Sequence, residues 1–160
     1  MGLFSKLFRG PEVDREKSDE TARRMRELFD REVEEGERYR LIAGYTEDVG
    51  RFNYGFVHGS RTKIGCLIVG WDEARETIVV LPTVPDLSAW GKPACYRRSE
   101  IAKAGQSRYP SEAFLIYPDR KGYIGIHAAD WLEDDSLYIY LSQEEELAAF
   151  TDFFLHRFAK

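Results

Sequence analysis

The 160-residue sequence is short of the residues on which small secreted and metal-binding proteins depend: it has two cysteines and three histidines. Cys66 and Cys95 form no Cys-x-x-Cys pair, and a chain of this length buries enough surface to fold without disulfides. His58, His127 and His156 are dispersed, so the spacing predicts no metal site, and we expect no cofactor. Both thiols are therefore expected to be free, in a reducing cytoplasm.

Long apolar runs and an excess of positive charge are also lacking. No segment approaches the ~18 consecutive apolar residues that a transmembrane helix requires, so we expect no transmembrane segment. Lys and Arg number 23 against 28 Asp and Glu, and this net charge of −5 argues against nucleic acid as a partner. With 43% hydrophobic and 32% charged residues, the composition is that of a globular domain.

Enzyme signatures are missing as well. Ser60 follows a glycine, but the Gly-x-Ser-x-Gly turn of serine hydrolases is incomplete, and no Gly-x-Gly-x-x-Gly or Walker loop occurs. The acidic connection 130–135 lacks the alternating ligands and the glycine of a calcium loop. We expect a protein that is not an enzyme. The alternative to this expectation is a small enzyme with a pocket beneath Trp71 and Trp90, which we rank third, after the two binding functions described below.

The chain from residue 38 onward is predicted to be mainly β-sheet, because it is rich in β-branched, aromatic and apolar residues between turn signals. The predicted strands and short elements are 38–46, 52–58, 64–71, 77–83, 95–98, 100–104, 114–117, 123–127 and 136–141. The charged connector 72–76 makes 64–83 the clearest hairpin, and its two apolar blocks are expected to lie centrally in the sheet.

Two amphipathic helices are predicted to flank this sheet. Segment 12–38 carries eleven acids and seven bases around a narrow apolar stripe, which favours a helix lying with one edge against the sheet. That stripe consists of Ala22, Met25, Leu28, Phe29 and Val33, and Gly36 is its predicted C-terminal stop. The capping box 142–145 begins a second helix. Its buried stripe is Leu147, Phe150, Phe154 and Phe158, widened by Phe153 and Leu155.

The first ten residues form a distinct leader. Leu3, Phe4, Leu7 and Phe8 recur at helical spacing, and the first nine residues include Lys6 and Arg9 but no acid. Such a segment lies in a membrane interface, docks on a partner, or folds back on its own domain. It lacks the cleavage pattern of a signal peptide. The expected organisation is a leader 1–10, a helix within 11–37, and one β-rich domain 38–160.

Three stretches carry a resemblance to a known family: CLIVGWDEARETIVVLP, YRRSEIAKA and SQEEELAAFTDFFLHRF. With them, 64–158 resembles the bacterial members of the pleckstrin-homology-like superfamily. The resemblance implies about seven antiparallel strands in a curved or barrel-like sheet, with a C-terminal helix packed on it. The N-terminal helix is an addition to that α+β outline. Domains of this superfamily bind phosphoinositides, peptides or other proteins.

One stretch of the acidic chain is basic. Five cations occur within seventeen residues, opposed only by Glu100, with aromatic residues between them. The candidate binding residues are Trp90, Lys92, Arg97, Arg98, Lys103 and Arg108. Arginine in such a setting favours phosphate or carboxylate. We expect a binding module for a protein or for anionic lipid headgroups, cytoplasmic or peripheral at a membrane, with Leu3, Phe4, Leu7 and Phe8 as further contacts.

Two structural alternatives remain open. Outward-facing cations keep an edge strand from pairing, which accounts for the basic stretch without a ligand. Segment 130–146 holds seven acids and no base, which suits a dedicated protein partner, such as a toxin-neutralising or scaffold subunit. Because basic and acidic surfaces attract each other, a homo-oligomer is a further possibility.

Overall fold

The computed structural model describes residues 13–47, 52, 64–107, 112–132 and 137–160. The helices in this part are α1 (Arg15–Glu32) and α2 (Glu144–Phe153). The strands are β1 (Arg40–Thr46), β2 (Gly65–Asp72), β3 (Thr77–Thr83), β4 (Ala94–Arg97), β5 (Lys103–Ser107), β6 (Ala113–Asp119), β7 (Gly122–Ile126), β8 (Trp131–Leu132) and β9 (Leu141–Ser142). The leader 1–10 and the predicted strand 52–58, apart from Phe52, lie outside the described residues.

Seven strands form two antiparallel sheets, in the orders β1-β2-β3-β4 and β5-β6-β7. The sheets meet where Tyr45 of β1 and His127 exchange backbone hydrogen bonds of 2.9 and 2.8 Å. The α+β class with a helix at each end is confirmed. In the described part the strands do not close into a barrel, since β4 and β5 belong to separate sheets, and the backbone of Lys160 pairs with Ala104 at the outer edge of β5.

The four-stranded sheet is covered on both faces, so every residue of β2 and β3 is buried, as expected for the central hairpin. One face carries Leu67, Val69 and Trp71 and packs against the second sheet and α2. The opposite face packs against α1, where Phe29 is fully buried. The predicted helix on the sheet is thus confirmed, except that Ala22 of its stripe is exposed.

Aromatic residues fix α2 to the sheets. The Phe150 ring lies 5.2 Å from Trp71 and 4.9 Å from Phe114, both edge-on, a favoured geometry for aromatic pairs. A π-turn, Phe154–Phe158, ends the helix and keeps both of its phenylalanines buried. Leu155 was expected to widen the buried stripe, but it is 39% exposed, because its position next to Phe154 turns it toward the outer face.

Three local predictions are wrong. The capping box does not form: Gln143 precedes α2 without a side-chain cap, and Ser142 belongs to β9. The predicted strand 136–141 is irregular over 137–140, and only Leu141–Ser142 pairs, with Trp131–Leu132. The left-handed residue after α1 is Glu35, with φ 54°, rather than Gly36. A Cβ at Gly36 would lie 2.8 Å from the Cα of Asp30, so close approach requires this glycine.

Candidate binding surface

The structure separates Trp90 from the cations with which the sequence grouped it. Trp90 bridges to Thr83, whereas Arg97 pairs with Thr77 at the other end of β3. Six residues of strand separate the two partners, a distance of about 20 Å. The half-buried Trp90 ring packs against the α1 side of the sheet, and the guanidinium of Arg31 lies over it at 4.7 Å. Trp90 is therefore part of the α1 packing.

Two other residues of the predicted patch, Lys92 and Arg108, are not placed beside Arg97, Arg98 and Lys103. Lys92 is exposed, but it follows Trp90 by two residues and shares its end of β3. Arg108 lies outside the described residues, as do Leu3, Phe4, Leu7 and Phe8.

Arg97, Arg98 and Lys103 do come together, at the end of the molecule where β4 turns into β5. The Lys160 ammonium donates to the carbonyl of Arg98 at 2.8 Å. The Lys160 backbone pairs with Ala104 through hydrogen bonds of 3.0 and 3.3 Å, which brings it beside Lys103. Lys160 thus adds a fourth cation to this surface.

The turn between β6 and β7 adds two more cations, Arg120 and Lys121, which lie outside the basic stretch of the sequence. Lys103 pairs across the strands with Tyr117, and its ammonium lies 5.5 Å from that ring. Tyr123 is 47% exposed, with its ring 5.4 Å from Tyr117. We call this surface the cationic end; it consists of Arg97, Arg98, Lys103, Arg120, Lys121 and Lys160, around the two tyrosines.

The cations of this end differ in how far they are neutralised. Arg97 is paired with Glu100 at 3.5 Å, and half-buried Arg98 lies 3.9 Å from a carboxylate oxygen of Glu76. The other four cations have no carboxylate within 4.0 Å in the described part of the chain; they are Lys103, Arg120, Lys121 and Lys160. These four exposed side chains are available to an external anion.

Acidic residues gather at the opposite end of α2. Asp130 and Glu144 lie at the start of the helix, and the Asp130 carbonyl accepts the N–H of Gln143 at 2.8 Å. From Glu144 to Phe158 the helical rise is about 21 Å. Acids at the first turn and cations beyond the last one both suit the helix dipole. Charge is thus segregated along α2.

Trp71 and Trp90, beneath which the enzyme alternative places a pocket, lie on opposite faces of the four-stranded sheet. Trp71 is 1% exposed and packs on the α2 side of the four-stranded sheet, while Trp90 packs on the α1 side. His127 stacks on Tyr45 at 5.1 Å, and His58 lies outside the described residues. In the described ranges, no three His, Cys, Asp or Glu side chains converge to hold a metal ion.

Comparison with protein-family models, curated proteins and solved structures gives no match to this chain. Among the described helices, none is long and apolar enough to cross a membrane.

The two thiols are predicted to differ strongly in reactivity. Burial raises the pKa of Cys66 to about 12, and its Sγ donates to the carbonyl of Leu137 at 3.2 Å. Partial burial also raises the pKa of Cys95, but its side chain is exposed to reagent. At pH 8 we expect Ellman's reagent to modify Cys95 about a hundredfold faster or more, because only the thiolate attacks.

Stopped-flow absorbance measures both phases of this reaction. Cys95→Ser should remove the fast phase and leave the slow one, while denaturant should merge the two. Equal rates for both thiols in the folded protein would contradict the prediction.

Proposed function

We propose that this chain is a non-enzymatic, pleckstrin-homology-like binding module whose cationic end engages an anionic membrane surface. One observation carries the proposal: four cations that have no carboxylate partner among the described residues share one end of the molecule with two partly exposed tyrosine rings. Tyrosine is enriched at membrane interfaces, where an apolar ring and a polar tip are both accommodated. The order of four strands, three strands and a closing helix supports the pleckstrin-homology-like part of the proposal.

The acidity of the whole chain does not oppose this function. Each cation near an anionic leaflet contributes about 1 kcal/mol, so four of them give a partition factor of roughly a thousand. The acids at the start of α2 lie about 20 Å from the cationic end. That distance exceeds the Debye length of about 8 Å at physiological ionic strength, so their repulsion is largely screened. The binding is therefore expected to be reversible and oriented.

Flotation with phosphatidylserine-containing vesicles and with neutral phosphatidylcholine vesicles tests the proposal, at low and at high salt. Lys103→Glu should lower the partition coefficient on anionic vesicles about tenfold or more, because an attraction becomes a repulsion. Lys92→Glu is the matched control: it makes the same charge change on an exposed lysine at the far end of β3. Arg98 is less suitable because it is half-buried and contacts the carbonyl of Ala159 at 3.5 Å.

Equal losses for the two variants would show that net charge alone matters and would overturn the proposal. Equal binding to neutral and anionic vesicles would do the same. If vesicles fail to bind but an acidic peptide binds in a Lys103-dependent way, the cationic end serves a protein partner instead.

A further inference from the structure

The outer face of α2 carries a groove of about 520 Å³ whose floor is apolar. Leu147, Ala148 and Leu155 form this floor. Leu147 is half-buried and packs against the core, whereas Ala148 and Leu155 are exposed on the outer face. Ala148 is exposed, and Leu155 is one of three large hydrophobic residues that are exposed in the described part of the chain. The floor is therefore an apolar surface on which an apolar segment can pack.

The rim of the groove is acidic. Asp130 and Glu144 stand at one end and Asp152 at the other, and among the described residues no lysine or arginine lines it. Asp152 is paired with His156, whose Nδ1 lies 3.0 Å from the carboxylate. The occupant that complements this groove is an apolar segment with positive charge and no acid.

We propose that the groove binds residues 3–9 of the same chain. This segment, which lies outside the described residues, contains two leucines and two phenylalanines for the floor. Lys6 and Arg9 supply charge opposite to that of the rim, and no acid occurs before Glu12.

The start of α1 places this segment within reach. The Asp14 N–H donates to the Tyr140 hydroxyl at 3.1 Å, and the Lys17 ammonium lies 4.2 Å from the Tyr140 ring. That ring contacts Trp131 at 4.7 Å, and Trp131 directly follows Asp130 at the rim. The six residues from Asp14 back to position 8 span up to about 20 Å when extended. Asp14, where the described chain begins to leave the domain toward the leader, is thus connected to the rim of the groove through two contacts, Asp14 to Tyr140 and Tyr140 to Trp131.

Because residues 3–9 are covalently linked to the domain, even a weak affinity for the groove gives substantial occupancy. A segment linked this closely has an effective concentration on the order of millimolar at the groove, so a millimolar intrinsic affinity suffices for half occupancy. The groove runs along α2 from Glu144 to His156, and none of its lining residues belongs to the cationic end. The contact does not depend on the proposed membrane function.

Photo-crosslinking in the 160-residue chain tests this proposal. We would replace Phe8 by p-benzoylphenylalanine, irradiate in dilute solution without lipid, and map the products by mass spectrometry. The expected product is an intramolecular crosslink to the peptide containing residues 147–155. Leu155→Glu should reduce its yield about fivefold or more, because a carboxylate in the floor disrupts apolar contact.

Leu137→Glu is the matched control, since Leu137 is 51% exposed and lies outside the groove; its crosslink yield should match the parent. If Leu155→Glu does not fold, Ala148→Arg probes the same floor by repelling Lys6. Crosslinks mapping elsewhere, equal yields in all variants, or crosslinked dimers as the main product would each overturn the proposal. None of these outcomes depends on vesicle binding.

Discussion

Replacing Gln143 by glutamate is expected to lower the free energy of unfolding by about 3–5 kcal/mol at neutral pH. Gln143 is 4% exposed, and its Oε1 accepts the N–H of Ala43 at 2.7 Å. Its Nε2 donates to the carbonyls of Ala43 and Ala129 at 2.8 and 2.9 Å. Glutamate keeps the acceptor and loses both donors, so a buried carboxylate would face two carbonyl oxygens.

The pH dependence of this defect distinguishes it from ordinary packing damage. Protonating the new carboxyl group restores one donor and removes the buried charge, so the stability gap to the parent protein should narrow as the pH falls. Urea unfolding followed by circular dichroism, at neutral and at mildly acidic pH, measures both effects.

Ser142→Asp is the matched control for this variant. It adds the same charge one residue earlier, on an exposed side chain, where the dipole of α2 favours an anion. We expect its unfolding free energy to stay within about 1 kcal/mol of the parent. If Gln143→Glu were as stable as Ser142→Asp, the hydrogen bonds of the Gln143 amide to Ala43 and Ala129 would not contribute to stability, and the prediction would be wrong.

Gln143 illustrates what a local pattern cannot reveal. The sequence Ser-Gln-Glu-Glu before an apolar stripe is typical of a capping box, and the helix does begin there, at Glu144. The glutamine instead continues the outer edge of β1, next to the bridge between Tyr45 and His127. Its partner, Ala43, is one hundred residues earlier in the chain. Only tertiary structure brings them together.

The elements that could be predicted from the sequence are those in which neighbouring residues alone show which side chains are buried. The apolar blocks of β2 and β3 flank a five-residue charged connector, so composition alone identifies a hairpin buried on both faces. The phenylalanines of α2 recur at helical spacing, which predicts their burial. The strand prediction fails over 137–140, because residues that favour strands also suit an irregular segment in which Ile139 is buried without strand pairing.

Only some residues of the cationic end could be predicted from the sequence, because strand pairing determines which cations lie close together. Trp90 and Arg97 are seven residues apart in the chain but lie at opposite ends of β3. Arg120 and Lys121 come from the β6–β7 turn and join Lys103 only because β5 pairs with β6. A cluster defined by sequence distance therefore included an aromatic residue from the α1 side and omitted three cations.

The second large effect is expected at Gly70, where alanine should destabilise the protein by about 2–3 kcal/mol. Gly70 lies in β2 on the face covered by α1, and a Cβ there would overlap the ring of Phe29. Phe29 is fully buried and packs edge-on against Tyr39 at 5.6 Å, so its ring has little room to retreat. The main consequence is that α1 is pushed off the sheet, which hydrogen exchange of the α1 amides would report.

Gly105→Ala is the matched control for Gly70→Ala, because a Cβ at Gly105 in β5 meets no atom within 4 Å. That variant should be neutral, or stabilised by up to about 1 kcal/mol through loss of backbone freedom in the unfolded chain. A double-mutant cycle with Phe29→Ala isolates the clash: once the ring is gone, Gly70→Ala should cost less than about 0.5 kcal/mol more. If Gly70→Ala is equally costly with and without the Phe29 ring, strand flexibility rather than the helix contact accounts for the glycine.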